Sequence, residues 1–486
     1  MKMRVSRSIL AHESITARNG MVIAQHPLGA QAGYNVLAQG GNAVDVAVTT
    51  AFVMGVVQPL MNGIGGGGQM VIRMGDGSVG AVDYGVRASG DASDDMYELI
   101  EGQEPLGPAT LRVSSRYNWP LVEDNAHLDG FRSVAVPGTV AGLGAALARW
   151  GTMDLSDSVA PAIKLAEEGF PIGAHFALSL LAGRSKFLKY AGAGKIFYPG
   201  GQPLAASERL VQNDYAATLR LIAEDGARAF YTGEPAQLIA EDAQRHGALL
   251  SYNDFADYRP AISDSVISTS YRDTEVLAVP GPGAGPTLIE ILNILNQFDL
   301  HMLNPGSATT IHTIIEAIKL GAVDRFTFLG DCAPDGGPVG ALMDPEYATV
   351  RARQIGRVAS NAGPGDPWDH LGTPPPDGFP APSGLGPDYG TTHLTVTDAD
   401  ENAVSLTQTL HGYSGIVTPG VGAMMNNGMG WFYPGPGTVN SVRRYGSGLH
   451  NMVPVILTRE GMLRAALGSS GGRRIWTAVL QTIINL

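Results

Sequence analysis

Hydrophobic and polar residues alternate most cleanly late in the chain. Residues 392–398 (THLTVTD) and 403–409 (AVSLTQT) alternate around Asp398-Ala399-Asp400-Glu401-Asn402, which predicts a strand, a turn and a strand. Further strands fit 453–458 and 462–467 around Arg459-Glu460-Gly461, and 473–486 has the apolar spacing of a helix with one buried face. Near the N-terminus, 70–74 and 78–84 flank Gly75-Asp76-Gly77, and Asp-Gly supplies the positive φ that a tight hairpin turn needs. The longest apolar stretch, 43–57 (AVDVAVTTAFVMGVV), is too short for a bilayer and carries Asp45, so it predicts a buried helix. Residues 20–90 thus read as a helix, a buried helix, a glycine loop and a hairpin; 138–330 read as mainly helical, for example 160–168 and 309–328. In 362–390 Gly and Pro dominate and no hydrophobic period survives, which predicts an extended, exposed segment. Helices early and strands late predict sheets covered by helices, an α+β layered domain.

Composition narrows the partners. With 32 Lys and Arg against 45 Asp and Glu, the chain carries a formal charge of −13, which disfavours nucleic acid because phosphates demand a basic surface. Gly (64) and Pro (31) are abundant, yet 44% of the residues are hydrophobic, the profile of a turn-rich globular protein. The 486 residues suit one large domain or two to three ordinary ones. A lone Cys332 builds neither a disulfide framework nor a thiolate metal site. The start, Met1-Lys2-Met3-Arg4, leads into no apolar secretory core, so a cytoplasmic protein with no membrane partner is expected, periplasmic or secreted if the N-terminus has been trimmed.

Two glycine motifs match known patterns formally. Gly63-Ile64-Gly65-Gly66-Gly67-Gly68 fits G-x-G-x-x-G, but it follows a helix and opens a hairpin, whereas a dinucleotide fingerprint follows a strand and opens a helix. Glycines here read as a turn that lets backbones pack closely. Gly468-Ser469-Ser470-Gly471-Gly472 fits G-x-S-x-G, yet no His, Asp or Glu follows Ser470 to complete a hydrolase triad. It reads better as a strand-to-helix loop whose free backbone N–H groups can stabilise an oxyanion. The eleven histidines show no ligand-pair spacing, so no metal is expected.

The junction Asp388-Tyr389-Gly390-Thr391-Thr392-His393 is the most informative feature. A glycine with no side chain to block attack on its carbonyl, followed by Thr at the start of a strand, is what an autoprocessing N-terminal nucleophile needs. A cut before Thr391 frees an α-amino group whose pKa near 8 suits a base for its own hydroxyl. A linker entering an ordinary strand is the plain alternative.

Over nearly its whole length the sequence resembles the γ-glutamyltransferase (γ-glutamyltranspeptidase) family of N-terminal-nucleophile hydrolases. The resemblance rests on Gly40-Gly41-Asn42-Ala43-Val44-Asp45, Gly65 to Gly68, Val136-Pro137-Gly138-Thr139, Phe230-Tyr231-Thr232-Gly233, and Glu316-Ala317 with Asp324-Arg325. Gly390-Thr391-Thr392-His393, Asn402-Ala403-Val404, Asn426-Asn427 and Gly468 to Gly472 complete it. It implies a four-layer αββα sandwich made as one precursor. A large portion, 1–390, would end in the Gly/Pro-rich segment 362–390, and a small portion, 391–486, would begin at the nucleophile; the two stay together as one domain. Thr391 is the implied nucleophile and Thr409 the support of its amine. Gly471 and Gly472 are the implied oxyanion donors, and no cofactor is implied. The substrate would be a small-molecule amide or peptide with a γ-glutamyl or related acyl group, and the acceptor water or an amine. A non-catalytic, uncleaved binder of an acyl or peptide ligand, and a serine hydrolase using Ser470, are the alternatives.

Substrate-reading positions depart from the family pattern. Gly85 stands where an Arg would grip the substrate carboxylate, with Arg87 two residues later. Trp431 replaces the acid expected after Asn426-Asn427, His411 an Asn, and His450-Asn451 a Ser pair. Arg87, His411, Asn427, Trp431, His450 and Asn451 are therefore the candidate substrate contacts. Family members continue past the last helix, so the small portion is expected to be incomplete at its C-terminus.

Overall fold

The computed structural model describes residues 15–100, 119–383 and 390–486. The N-terminal stretch 1–14 and the junction residues Asp388 and Tyr389 lie outside the described residues.

Among the described residues, ten strands form two antiparallel sheets. In chain order they are β1 (Gly20–Ala24), β2 (Gly67–Arg73), β3 (Val79–Tyr84), β4 (Ala261–Ser263), β5 (Ile267–Tyr271), β6 (Thr274–Ala278), β7 (Thr392–Asp398), β8 (Ala403–Thr409), β9 (Val455–Arg459) and β10 (Met462–Leu467). The first sheet runs β1-β7-β8-β2-β3-β4 and the second β10-β9-β6-β5. Every residue of β2 and β8 is buried, because helices cover one face of the first sheet and the second sheet covers the other. Val71, Ala81 and Ala403 meet Leu277, Val279 and Ile456 across the two sheets. The helix Ala43–Val57 is buried along its whole length and packs on the outer face of the first sheet. Helices Gly285–Leu295, Ala308–Phe328 and Arg474–Asn485 cover the second. The result is the four-layer αββα sandwich.

The late hairpin, the early hairpin, the buried helix and the final helix stand where the hydrophobic pattern puts them, within a few residues. Three features differ. Gly20–Ala24 is an edge strand paired with β7, where the pattern reads as helix; five residues are too few for either period to emerge. Strands β4, β5 and β6 interrupt a region expected to be mainly helical. They are only 3 to 5 residues long, and β4 and β5 are mostly exposed or half-buried. A short helix, Pro367–Leu371, sits inside the otherwise irregular Gly/Pro-rich segment, capped by the Asp366 side chain.

Glycines in the loop before β2 are there for close approach. A Cβ at Gly66 would stand 2.4 Å from Thr409 O, and one at Gly68 2.6 Å from Thr407 O. No helix follows them, which removes the dinucleotide reading.

The long helix Ala308–Phe328 holds distant segments through side chains of the Glu316 to Arg325 block. Glu316 accepts from Lys319 Nζ (2.8 Å), Ser360 Oγ (2.7 Å) and Ser360 N–H (3.2 Å), and Asp324 accepts from Gly365 N–H (2.8 Å) and Tyr347 OH (2.9 Å). These bonds tie down the start of the Gly/Pro-rich segment. The Lys319 and Ser360 hydrogen bonds hold the Glu316 carboxyl down to about 2. A depressed folded pKa stabilises above the unfolded value, about 4.3 for Glu, and the contribution fades as pH falls towards 2. Glu316→Gln is expected to cost roughly 1.5–3 kcal/mol at pH 7 and clearly less at pH 3.5. Urea titrations at the two pH values check this, and an equal loss at both would contradict it.

Candidate active site

The junction lies at the end of the β7 and β8 pair. Thr392 pairs with Gln408 and Thr409 with Gly67, so Thr391 stands beside the last residue of β8. Thr392 is locked from the helical layer: its hydroxyl donates to Gln58 Oε1 (3.1 Å) and accepts from Asn62 Nδ2 (2.9 Å), while Gln408 Nε2 donates to Asn62 Oδ1 (2.6 Å). In the continuous chain Thr409 Oγ1 donates to Gly390 O (2.7 Å) and accepts from His411 N–H (2.8 Å). The carbonyl that would be attacked is therefore already polarised. Gly390 also has a packing reason to be glycine, since a Cβ there would lie 2.4 Å from Met61 Sδ.

Facing Thr391 is the loop between β10 and the last helix. Gly471 and Gly472 have φ of 121° and 59°, and no described residue accepts from either N–H. Thr391 and Gly472 line one small pocket, together with Thr409, His411, Trp431, Asn451, Met452 and Ile475. N–H groups without a described acceptor, facing the Thr391 hydroxyl, are suited to a developing oxyanion. Ser470 accepts from Gln25 Nε2 (2.5 Å), an amide that cannot serve as a base, and among the described residues no basic side chain is hydrogen-bonded to its hydroxyl.

His393 ties this loop to the strand that follows Thr391. Its ring bridges Thr407 Oγ1 (2.9 Å) and Thr395 Oγ1 (3.0 Å), and burial pushes it down to about 4, so it is neutral at ordinary pH. The ring fills the space above Gly468, where a Cβ would come within 2.2 Å of it. His393, Gln25, Asn62 and Gln58 were not among the residues singled out from sequence. Only the Gly390 to His393 motif hinted at His393.

The remaining wall is aromatic. His411, Trp431 and His450 form a ladder, with ring centroids 5.0 Å apart between His411 and Trp431 and 5.4 Å between Trp431 and His450. His411 has a φ of 72° and its Nδ1 pairs with Asn427 O (3.0 Å). Asn427 is engaged by backbone, accepting from Gly412 N–H (2.8 Å) and donating to Leu128 O (3.0 Å), so its amide supports the wall. His450 is buried, and that burial, with Arg325 and Arg87 nearby, pushes it down to about 3. Arg87 is half-buried, within electrostatic reach of Asp83 and His450, and is not among the residues lining the Thr391 pocket. Among the described residues, those lining that pocket include no carboxylate, Lys or Arg.

A threonine at the mouth of an inner strand of an αββα sandwich gives the architecture of the N-terminal-nucleophile hydrolases. Within that class the chain belongs to the gamma-glutamyltranspeptidase family, whose model matches residues 29–486. The acylase ACY 1 proenzyme of Pseudomonas sp. (strain V22) is 35% identical over 486 residues, covering 99% of this chain and 82% of that protein. The glutathione hydrolase proenzyme of Bacillus subtilis (strain 168) is 33% identical over 475 residues, covering 96% and 77%. The crystal structure of cephalosporin acylase from Bacillus halodurans matches with a TM-score of 0.82 at 29% identity, covering 100% of this chain and 84% of that one.

His393→Ala is expected to let the glycine loop relax away from Thr391. A misplacement of about 1 Å can cost roughly 100-fold, so kcat for an acyl anilide should fall about 10- to 100-fold while KM changes little. Steady-state kinetics normalised to the fraction of acylatable Thr391 check this; a loss confined to that fraction would mean that His393 serves only folding.

Proposed function

We propose that the chain is the precursor of a threonine amidohydrolase and acyltransferase that cuts itself before Thr391. The observation that carries this reading is the hydrogen bond from Thr409 Oγ1 to Gly390 O at 2.7 Å, at a Gly-Thr bond that opens an inner strand. In the first stage Thr391 Oγ1 attacks the Gly390 carbonyl carbon. The C–N bond breaks, the nitrogen takes up a proton, and the Gly390 acyl group passes to the hydroxyl as an ester. Water then hydrolyses that ester, leaving a carboxylate on Gly390 and a free hydroxyl and amine on Thr391. Residues 1–390 and 391–486 become a large and a small subunit that remain one folded unit, because β7 is held between β1 and β8.

In the second stage the free amine, in its neutral form, takes the proton of the Thr391 hydroxyl as that oxygen attacks an acyl amide. Gly471 and Gly472 N–H groups receive the oxyanion. The amine product leaves with a proton, and water or a second amine accepts the acyl group from the enzyme. A γ-glutamyl or related acyl donor is the substrate class supported by the names of the relatives, some glutathione hydrolases and some acylases. Both chemistries use this one cycle and differ in acyl recognition.

Intact-mass analysis of purified protein tests the first stage. Incubation should yield two fragments, the smaller beginning with Thr391, while Thr391→Ala stays a single chain. Thr409→Ala, which removes the donor to the Gly390 carbonyl, should slow the cut by about 100-fold, the usual cost of one oxyanion donor. A wild-type chain that stays intact indefinitely would favour the non-catalytic binder.

A further inference from the structure

The loop from Gly468 to Gly472 carries the candidate oxyanion donors but has little structure of its own. Gly471 and Gly472 both lie at positive φ. Among the described residues, the backbone groups of Ser469 to Gly472 bond only to the first turn of the final helix and to the Ser469 hydroxyl. A Cβ at Gly471 would find no atom within 4 Å other than two of Arg474, so no other segment packs over that position. A glycine has no side chain to hold the peptide planes on either side of it, so the aim of these N–H groups has to be set by neighbours.

Three strands of the first sheet supply those neighbours. From β8, the fully buried Ser405 donates to Leu467 O (2.9 Å), just before the loop. From β7, the His393 ring fills the space over Gly468. From the end of β1, Gln25 Nε2 donates to Ser470 Oγ (2.5 Å). The backbone of Gln25 is pinned on both sides. Before it, Ala24 pairs with Leu394 on β7; after it, His26 caps the helix Pro27–Ala38 by accepting from Leu28 N–H (3.2 Å). The amide therefore reaches the loop from a backbone fixed against the strand that follows Thr391. The peptide that joins Ser470 to Gly471 carries the first oxyanion donor, the Gly471 N–H. Ser469 Oγ holds the carbonyl of that peptide (2.9 Å) and Gln25 holds the residue before it, so its N–H is turned from two sides.

We propose that Gln25 is a positioning residue for turnover at Thr391, clamping Ser470 so that the Gly471 and Gly472 N–H groups face the nucleophile. This role rests on the reading of Thr391 as the residue that accepts the acyl group. Gln25 belongs to the large portion and Ser470 to the small one, so after the cut the clamp joins the two and the small portion does not aim its oxyanion donors alone. Self-cleavage makes no such demand, because the carbonyl attacked there, Gly390 O, accepts from Thr409 Oγ1 (2.7 Å). The clamp acts on a group that binds charge developed only in the transition state, so its loss falls on kcat. One neutral hydrogen bond accounts for a change of about 3- to 10-fold.

The test compares wild type with Gln25→Met, which keeps the length of the side chain but has no donor, with Ser470→Ala and Ser470→Thr, and with the double variant Gln25→Met/Ser470→Ala. The substrate is whichever of γ-glutamyl and glutaryl 4-nitroanilide the self-cleaved wild type uses better. Gln25→Met and Ser470→Ala should each lower kcat about 3- to 10-fold and leave KM within about twofold. The double variant should lose no more than either alone, because both changes remove the same bond. Ser470→Thr, which keeps the hydroxyl, should retain most of kcat. The rate of self-cleavage, followed by intact mass, should match wild type throughout. An unchanged kcat in Gln25→Met, losses that multiply in the double variant, or a cut slowed as much as turnover would overturn the clamp. Amide hydrogen exchange at Arg474 and Ile475, whose N–H groups bond to Gly471 O (3.2 Å) and Gly472 O (3.1 Å), separates it from the catalytic reading. Exchange there should quicken in Gln25→Met. If it does while wild type neither cuts itself nor turns over an anilide, the clamp stands and the hydrolase reading fails; unchanged exchange means the clamp is wrong.

Discussion

No side chain larger than hydrogen fits at Gly66 or Gly68, because carbonyls of β8 occupy the space, and the site depends on this constraint. The close approach lets β2 pair with β8 along its full length, from Ala403 against Arg73 to Thr409 against Gly67. Register in a strand buried on both faces has little freedom, since a one-residue slip would exchange its two faces. Thr409 is thereby set at the end of β8 and Thr391 beside it, with Gly390 O in reach of the Thr409 hydroxyl. Gly66 O also accepts from the N–H groups of Gly138 (2.7 Å) and Thr139 (3.1 Å), so the same loop fixes the start of the helix Thr139–Trp150.

Polar side chains near the site divide into those spent on the frame and those left over. Asn426 is fully used, donating to Gly65 O and Ala135 O and accepting from Ala135 N–H and Gly428 N–H. Asn427 is similarly tied to backbone, and Thr392 to Gln58 and Asn62. Those left over are the two ring nitrogens of His450 and the Nε of Arg325, which meet no described partner. Unpartnered buried atoms are not confined to this side of the site, since Tyr84, His127 and Trp476 each hold one as well.

Much of the frame was legible in the sequence because it depends on local pattern. The β7 and β8 hairpin alternates with period two, the glycine loop follows a helix and opens a strand, and the loop from Gly468 to Gly472 joins a strand to an amphipathic helix. The junction itself is a local motif. What escaped was fixed by distant partners. Gly20–Ala24 is a strand because β7 offers it an edge, and β5 and β6 are strands because β9 pairs with β6. The clamp of Gln25 on Ser470 spans 445 positions, and the ladder of His411, Trp431 and His450 assembles from three separate segments. Arg87 could be named from its spacing after Gly85, yet its surroundings, a buried His450 and an engaged Asp83, belong to the tertiary structure.

Thr409 shows why the uncleaved geometry bears on the mature site. A hydroxyl both donates and accepts, and here the donated bond goes to Gly390 O while the accepted one comes from His411 N–H. In the proposed sequence, cutting before Thr391 removes the Gly390 carbonyl from that bond and creates an amine at the adjacent residue. The Thr409 oxygen, still held by His411 N–H, has a second lone pair that can accept from an N–H of the new amine and orient it. An amine has one lone pair, and this contact leaves it free to take the proton of the Thr391 hydroxyl. His411 supports this through its backbone, with its φ of 72° placing the N–H under Thr409 and its ring against Trp431. His411 thus both lines the Thr391 pocket and anchors the Thr409 hydroxyl.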